Sequence, residues 1–368
     1  MTKSEPTKAT MSKHEQLGRV LVVNMGGTST KLAIFSGNAA VHEENLTFTP
    51  QPGVKRITDE LPAREEQVRS FLKVIGAKLN KFAAVIGRGG LLAPLSAGVY
   101  RIDKRMLEDL RAGKYGEHPS NLCALLVHEL TKDTGVPAFI ADPVVVDEFA
   151  DVARVSGCPG IERVSRLHAL NVRATCKRAS AELGIAFSKA GFVVAHLGSG
   201  FTIACVKNGR IIDNADGMLG EGPFSVERAG VLPLRRVIEL ARRYDDAELT
   251  KLLVKKSGFA GYLGTSDLPE VLELVASGDK QAKLVYSAMV YQIAKNIGMY
   301  AVPLCGAHDA IIISGGLAHS AKLTGDIKKY IKWMGKVLVY PGENEMEALA
   351  AAANAALSGE ERVRTYKG

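Results

Sequence analysis

The chain has 368 residues, enough for two domains at roughly 150 residues each, with 46 % apolar and 23 % charged residues. That balance excludes a disordered, collagen-like or coiled-coil chain, and no stretch reaches the ~18 uncharged apolar residues of a membrane helix. The formal net charge of +8 is scattered among acidic neighbours, which argues against nucleic-acid binding.

Residues 1–17 carry no apolar segment of the kind a secretory signal needs. They read as a solvated polar tail, with Met11 as an alternative start, and a cytoplasmic location is expected. The five cysteines, Cys123, Cys158, Cys176, Cys205 and Cys305, form no CxxC pair. They read as small buried thiols in a reducing compartment rather than a disulfide framework or a zinc site.

Arg19–Phe35 (RVLVVNMGGTSTKLAIF) reads as strand, glycine turn, strand, followed by a second turn at Ser36-Gly37-Asn38. Between Glu60 and Leu79, Val68, Phe71, Leu72, Ile75 and Leu79 keep helical spacing. Phe82–Ile86 is a short strand ending in Gly87-Arg88-Gly89-Gly90, and His118-Pro119-Ser120-Asn121 opens a further helix. Ala138–Val146 reads as a buried strand interrupted at Asp142-Pro143. A long helix is expected from Pro159-Gly160 to Leu183, bearing His168 and Asn171. Phe192–Asp213 is strand, glycine turn, strand, Asn208-Gly209 turn, strand, the Asn-Gly pair suiting a type I′ hairpin. Leu284–Leu304 is expected to be helical, and Ala310–Ile313 a strand ending at Ser314-Gly315-Gly316. Glu345–Leu357 is expected as a helix stopped at Gly359.

Placing Asn24 over His196 superimposes the two glycine turns: Gly26 meets Gly198, Thr28 meets Gly200 and Thr30 meets Thr202. An offset of a whole domain implies duplication, with one glycine hairpin in each half. Backbone N–H groups and hydroxyls in such a turn suit phosphate oxygens, because no Cβ prevents close approach. The candidates are Gly26, Gly27, Thr28, Ser29, Thr30 and Lys31 in the first hairpin and Gly198, Ser199 and Gly200 in the second. Gly315 and Gly316, ending a third apolar run, offer backbone to a nucleotide. Each turn by itself also fits an ordinary hairpin or strand-to-helix connection. No GxxxxGK[ST] loop and no helix-opening GxGxxG fingerprint is present.

The ordered blocks VLVVNMGGTSTKLAIF, VIGRGGLLAPLSAGVYRI, GCPGIERVSRLHALN, VVAHLGSGFTIACVKNGRIID, GEGPFSVERAG, YLGTSD and VLVYPGENEMEALA span about Val20 to Arg362. Together they resemble the butyrate kinase family, which stands with the acetate kinases in the superfamily of sugar kinases, heat-shock chaperones and actin. The resemblance implies an α/β fold of two actin-like, ribonuclease H-like domains, each on a mixed five-stranded sheet, with the active site in the interdomain cleft. Domain I would comprise residues 18–151 and 346–368, and domain II residues 152–345. It also implies ATP, butyrate and Mg²⁺ as reactants and cofactor, hinge closure on ATP, and a homodimer or higher homo-oligomer.

By the same resemblance, Arg88 and Arg228 would meet the carboxylate and the transferring phosphoryl group, and His196 would stabilise that group's equatorial oxygens. His168 would lie near the acyl site, Asn24 would face the β- and γ-phosphates, and Asp142 and Glu345 would hold Mg²⁺. The sequence departs from the family pattern at Met25 (usually Pro), Gly27 (usually Ser), Ser199, Cys123 (often Gly) and several positions of Ser257–Asp267. None of these removes a charged candidate. Related short-chain or branched-chain acids remain alternative substrates, and a non-catalytic ATP clamp is the rival from another class.

Overall fold

The computed structural model describes residues 17–50 and 56–368; the questions of the N-terminal tail and of Met11 fall outside them. Strands β1 (Arg19–Met25), β2 (Ser29–Ser36), β3 (Ala39–Thr47), β4 (Phe82–Arg88), β5 (Val99–Arg101) and β6 (Ala138–Ala141) form one sheet, in the order β3-β2-β1-β4-β6-β5. Strands β7 (Gly191–Leu197), β8 (Phe201–Lys207), β9 (Arg210–Asn214), β10 (Ala310–Gly315) and β11 (Val337–Pro341) form a second, in the order β11-β10-β7-β8-β9. The first sheet therefore has six strands rather than the expected five, because β5 adds an antiparallel edge to β6.

Without β5 the two sheets have the same plan. In each, the first three strands are antiparallel neighbours, and the next two join parallel to the first. Asn24 and His196 are the penultimate residues of β1 and β7, the pairing that the sequence offset predicts. The second turns correspond as well. Gly37 follows β2 with φ +59°, and Asn208 and Gly209 (φ +53° and +77°) join β8 to β9 in the type I′ conformation.

Unbroken apolar runs suit strands covered on both faces. Every residue of β7 and β10 is buried, as is all of β1 beyond Arg19. In the first sheet, the helix Glu345–Leu357 packs on β1 and β4, and Asn121–Thr131 packs on β4 and β6. In the second, the helix Lys280–Ala301 lies on β7 and β8, with Met289, Ile293 and Ile297 at zero exposure.

The chain divides into a first unit, ending at Val144 and resuming at Asn344, and a second unit, Val145–Glu343. These boundaries differ from those expected, and Glu345 goes with the first unit. Among the described residues no helix is long and apolar enough to cross a membrane.

The helix expected after Pro159-Gly160 begins only at Ala169. Its predecessors are drawn elsewhere: Ser165 Oγ donates to the Val146 carbonyl, and the His168 N–H to Thr202 Oγ1 at 3.2 Å. Such side-chain and backbone bonds outcompete the helix ladder, so His168 becomes the cap rather than a helical residue. Strand β6 stops at Ala141 because Asp142 has φ +41°. Of the five free cysteines, Cys123, Cys176 and Cys205 are buried, but Cys158 and Cys305 are exposed, contrary to the buried-thiol reading.

Candidate active site

In the first unit, the ends of parallel strands and the start of a helix bring three candidates together. Asn24 on β1 donates through Nδ2 to Glu345 Oε2 at 2.6 Å. Arg88, the last residue of β4, forms an ion pair with Glu345 Oε1 at 3.2 Å, the two side chains being 20 % and 9 % exposed. Glu345 is the first residue of its helix, where the macrodipole favours an anion. Its carboxylate is thus the shared acceptor of an amide and a guanidinium.

The glycines beside Arg88 let that strand end fit. A Cβ on Gly90 would stand 2.6 Å from Asn121 Cα, and one on Gly89 would strike Pro143. Asn121 fastens the outgoing loop, its Oδ1 accepting from the Leu91 N–H at 2.7 Å and its Nδ2 donating to the Gly116 carbonyl. Asp142 accepts from the Gly98 N–H at 2.6 Å through Oδ1.

His118 belongs to this neighbourhood, although the sequence marked it only as the start of a helix. Its Nδ1 accepts from the Ser120 N–H at 3.2 Å and lies 2.8 Å from Ser120 Oγ. An amide N–H can only donate, so the neutral ring carries its proton on Nε2. Burial, followed by the charge of Arg88, holds the His118 pKa below its ordinary value. Burial pushes the Cys123 thiol up to about 11. That side chain instead takes the Met25 N–H on Sγ at 3.2 Å, at the base of the first hairpin.

The tip of the first hairpin, Gly26–Thr28, is exposed, Ser29 is half-buried, and Lys31 points to solvent from β2. Thr30 is otherwise. It is fully buried, and its hydroxyl accepts from Arg64 Nη1 at 3.3 Å, so it does not face a ligand as expected. Arg64 is a second residue that sequence reasoning passed over. Its signal was present: it stands four and eight residues before Val68 and Leu72, a charge in the apolar stripe of its helix.

In the second unit, His196 and His168 stand with ring centroids 5.0 Å apart. Each ring is oriented by a hydroxyl, His196 Nδ1 by Ser314 Oγ at 3.1 Å and His168 Nδ1 by Thr202 Oγ1 at 2.9 Å. Arg228 lies against the second glycine turn. A Cβ on Gly200 would collide with its guanidinium, and its Nη1 donates to the Gly217 carbonyl. Burial lowers the Arg228 pKa, and its Nε is buried without a hydrogen-bond partner. A guanidinium stays charged at any physiological pH, so this orphaned donor is the kind of group an anionic ligand satisfies.

Ser199 is exposed, and its carbonyl accepts from Ser225 Oγ at 2.7 Å. The Gly198 N–H is turned to the Gly200 carbonyl at 3.3 Å, within the turn. Gly315 has φ +93°, and a Cβ there would strike the Leu197 backbone; Gly316 next to it is exposed.

For Mg²⁺, the donor chemistry fits: Asp142 and Glu345 supply hard carboxylate oxygens. Among the described residues, however, no three His, Cys, Asp or Glu side chains stand together as a metal cluster. An ion here would therefore depend on few protein ligands and on phosphate and water oxygens, as Mg²⁺ commonly does.

Solved structures share this fold. Acetate kinase from Porphyromonas gingivalis superimposes with a TM-score of 0.76 at 21 % identity, covering 93 % of this chain and 100 % of that one. A propionate kinase from Francisella tularensis gives 0.74 at 20 %, covering 91 % and 98 %. Acetate kinase from Entamoeba histolytica gives 0.74 at 17 %, covering 92 % and 99 %. The chain thus has the actin-like two-domain α/β fold seen in those kinases. Residues 163–355, more than half of its length, match the acetokinase family, and the chain belongs to that family of ATP-dependent, carboxyl-acceptor phosphotransferases.

Proposed function

We propose that the protein is a butyrate kinase, catalysing ATP + butyrate ⇌ ADP + butyryl phosphate by in-line phosphoryl transfer. The observation that carries the catalytic reading is Arg228: a half-buried cation whose Nε is buried and unpartnered, seated on a glycine turn. The choice of butyrate rests on the blocks GEGPFSVERAG and VLVYPGENEMEALA.

A carboxylic acid with a pKa near 4 is already ionised at pH 7, so the nucleophile needs no general base. The obstacle is repulsion between a carboxylate and a polyphosphate, and fixed positive groups remove it. Arg88 takes the carboxylate and Arg228 the moving phosphoryl group, while His196, oriented by Ser314, donates to its equatorial oxygens and His168 borders the acyl group. The turns Gly26–Ser29, Gly198–Gly200 and Gly315-Gly316 receive the nucleotide through their other backbone donors, since the Gly26, Gly198 and Gly315 N–H groups are taken by the Ser29, Gly200 and Gly342 carbonyls. Asn24 faces its terminal phosphates. Mg²⁺, held by Glu345 and Asp142 directly or through water, supplies charge neutralisation at the phosphate oxygens when bound. Acetate, propionate and branched acids are the competing substrates, since one methylene in an apolar pocket is worth only about 1–3 kcal/mol.

Arg88→Ala separates this reading from a nucleotide clamp. Acyl transfer is expected to fall at least 100-fold while ATP affinity stays within a few-fold; unchanged turnover in the variant overturns the assignment. A clamp has no use for the guanidinium.

A further inference from the structure

Arg64, beneath the first hairpin, is a buried charge with no part in the proposed reaction. Building on the kinase reading above, we propose that Arg64 is a positioning residue for the nucleotide phosphates, fixing the hairpin so that amide hydrogens, and not carbonyl oxygens, are offered at its tip.

A fully buried arginine is rare, because its charge must be met inside the protein. Arg64 has zero exposure and pairs with Glu60, 6 % exposed, through Nη2 at 2.8 Å and Nε at 3.0 Å. The guanidinium lies 4.0 Å from the centre of the Phe48 ring. Helix cement would need no more than this.

Its remaining hydrogens go to the hairpin. Nη2 donates to the Gly27 carbonyl at 2.7 Å, and Nη1 to the Ser29 carbonyl at 3.2 Å and to Thr30 Oγ1 at 3.3 Å. Phe48 completes the set, its N–H donating to the Thr28 carbonyl at 2.9 Å. Three consecutive carbonyls, from residues 27 to 29, are therefore held by the protein.

A planar trans peptide places its C=O and the following N–H on opposite edges. Drawing in the Gly27 and Thr28 carbonyls turns the amide hydrogens of Thr28 and Ser29 the other way. Carbonyl oxygens at the tip would repel a phosphate, whereas successive amide hydrogens attract one. Fixing them before the ligand arrives spares reorganisation during transfer. A lysine could keep the charge pair with Glu60, but a single nitrogen cannot reproduce the fork that spans two carbonyls and a hydroxyl.

The test uses Arg64→Lys and the double variant Arg64→Met/Glu60→Met, which removes both charges and leaves neither buried alone. KM for ATP, KM for butyrate and kcat per folded molecule are measured, with ADP affinity by calorimetry and folding by circular dichroism. The expected result is a rise of tenfold or more in the ATP KM and a matching loss of ADP affinity, with the butyrate KM within twofold. Should the double variant not fold, Arg64→Lys alone decides. A lowered melting temperature with ATP KM and ADP affinity within twofold overturns the proposal, as does an equal rise in both KM values. A wild-type protein that binds ADP but makes no acyl phosphate defeats the kinase reading while leaving this one to the ADP measurement. One that neither binds ADP nor makes acyl phosphate defeats both.

Discussion

Glu345 illustrates how a single side chain is fixed by its neighbours. The resemblance marked it as a metal ligand; its carboxylate also takes the Asn24 amide and the Arg88 guanidinium. Removing one member of such a largely buried set leaves the others undercompensated, which is why Arg88→Ala is best read through nucleotide affinity as well as rate. Near it, His118 makes a pH prediction. Its folded pKa lies below the ordinary histidine value because burial and Arg88 oppose the cation. The unfolded chain therefore binds the proton more readily, and this group's contribution is lost as pH falls through the unfolded value of about 6.5. Unfolding free energy measured from pH 8 down to 5.5 is expected to decline in the wild type and to decline less in His118→Gln. Equal slopes in the two proteins count against the assignment.

At the scale of the element, glycine has different meanings in the two kinds of turn. Gly315 combines φ +93° with a site where a Cβ would strike the Leu197 backbone. Gly315→Ala is expected to lower stability by about 1–3 kcal/mol or more. Gly27 has only Pro119 Cγ near its missing Cβ, at 3.9 Å, and no positive φ. Gly27→Ser is therefore expected to leave stability within about 0.5 kcal/mol. Chemical denaturation of the two variants checks the contrast, and similar losses in both would contradict it. The strands and their glycine turns were legible because unbroken apolar runs and Asn-Gly pairs are local signals. The late start of the helix at Ala169 was not, since it depends on His168 and Ser165 bonding to Thr202 and Val146. Nor was the sixth strand: β5 is three residues long and owes its existence to an edge that β6 provides.

For the molecule as a whole, the duplication was the feature the sequence carried most openly. The offset between Asn24 and His196 reappears as two sheets that share one strand order once β5 is set aside. Among the charged candidates, Arg88 in GRGG and Arg228 in VERAG came from the resemblance, since position alone fits a solvated loop arginine. The roles of Arg64 and His118 were not legible, because each depends on what a distant segment places beside it: Gly27 and Phe48 for the one, Arg88 for the other. The acyl preference is a still finer property, resting on a methylene or two. The most direct measurement is a hydroxylamine trap for acyl phosphate, with Mg-ATP and acetate, propionate, butyrate, isobutyrate or valerate in parallel. Hydroxamate is expected to form, with the highest kcat/KM for butyrate. A strong preference for acetate would reassign the substrate, and no hydroxamate from any acid by a protein that still binds ATP would contradict catalysis itself.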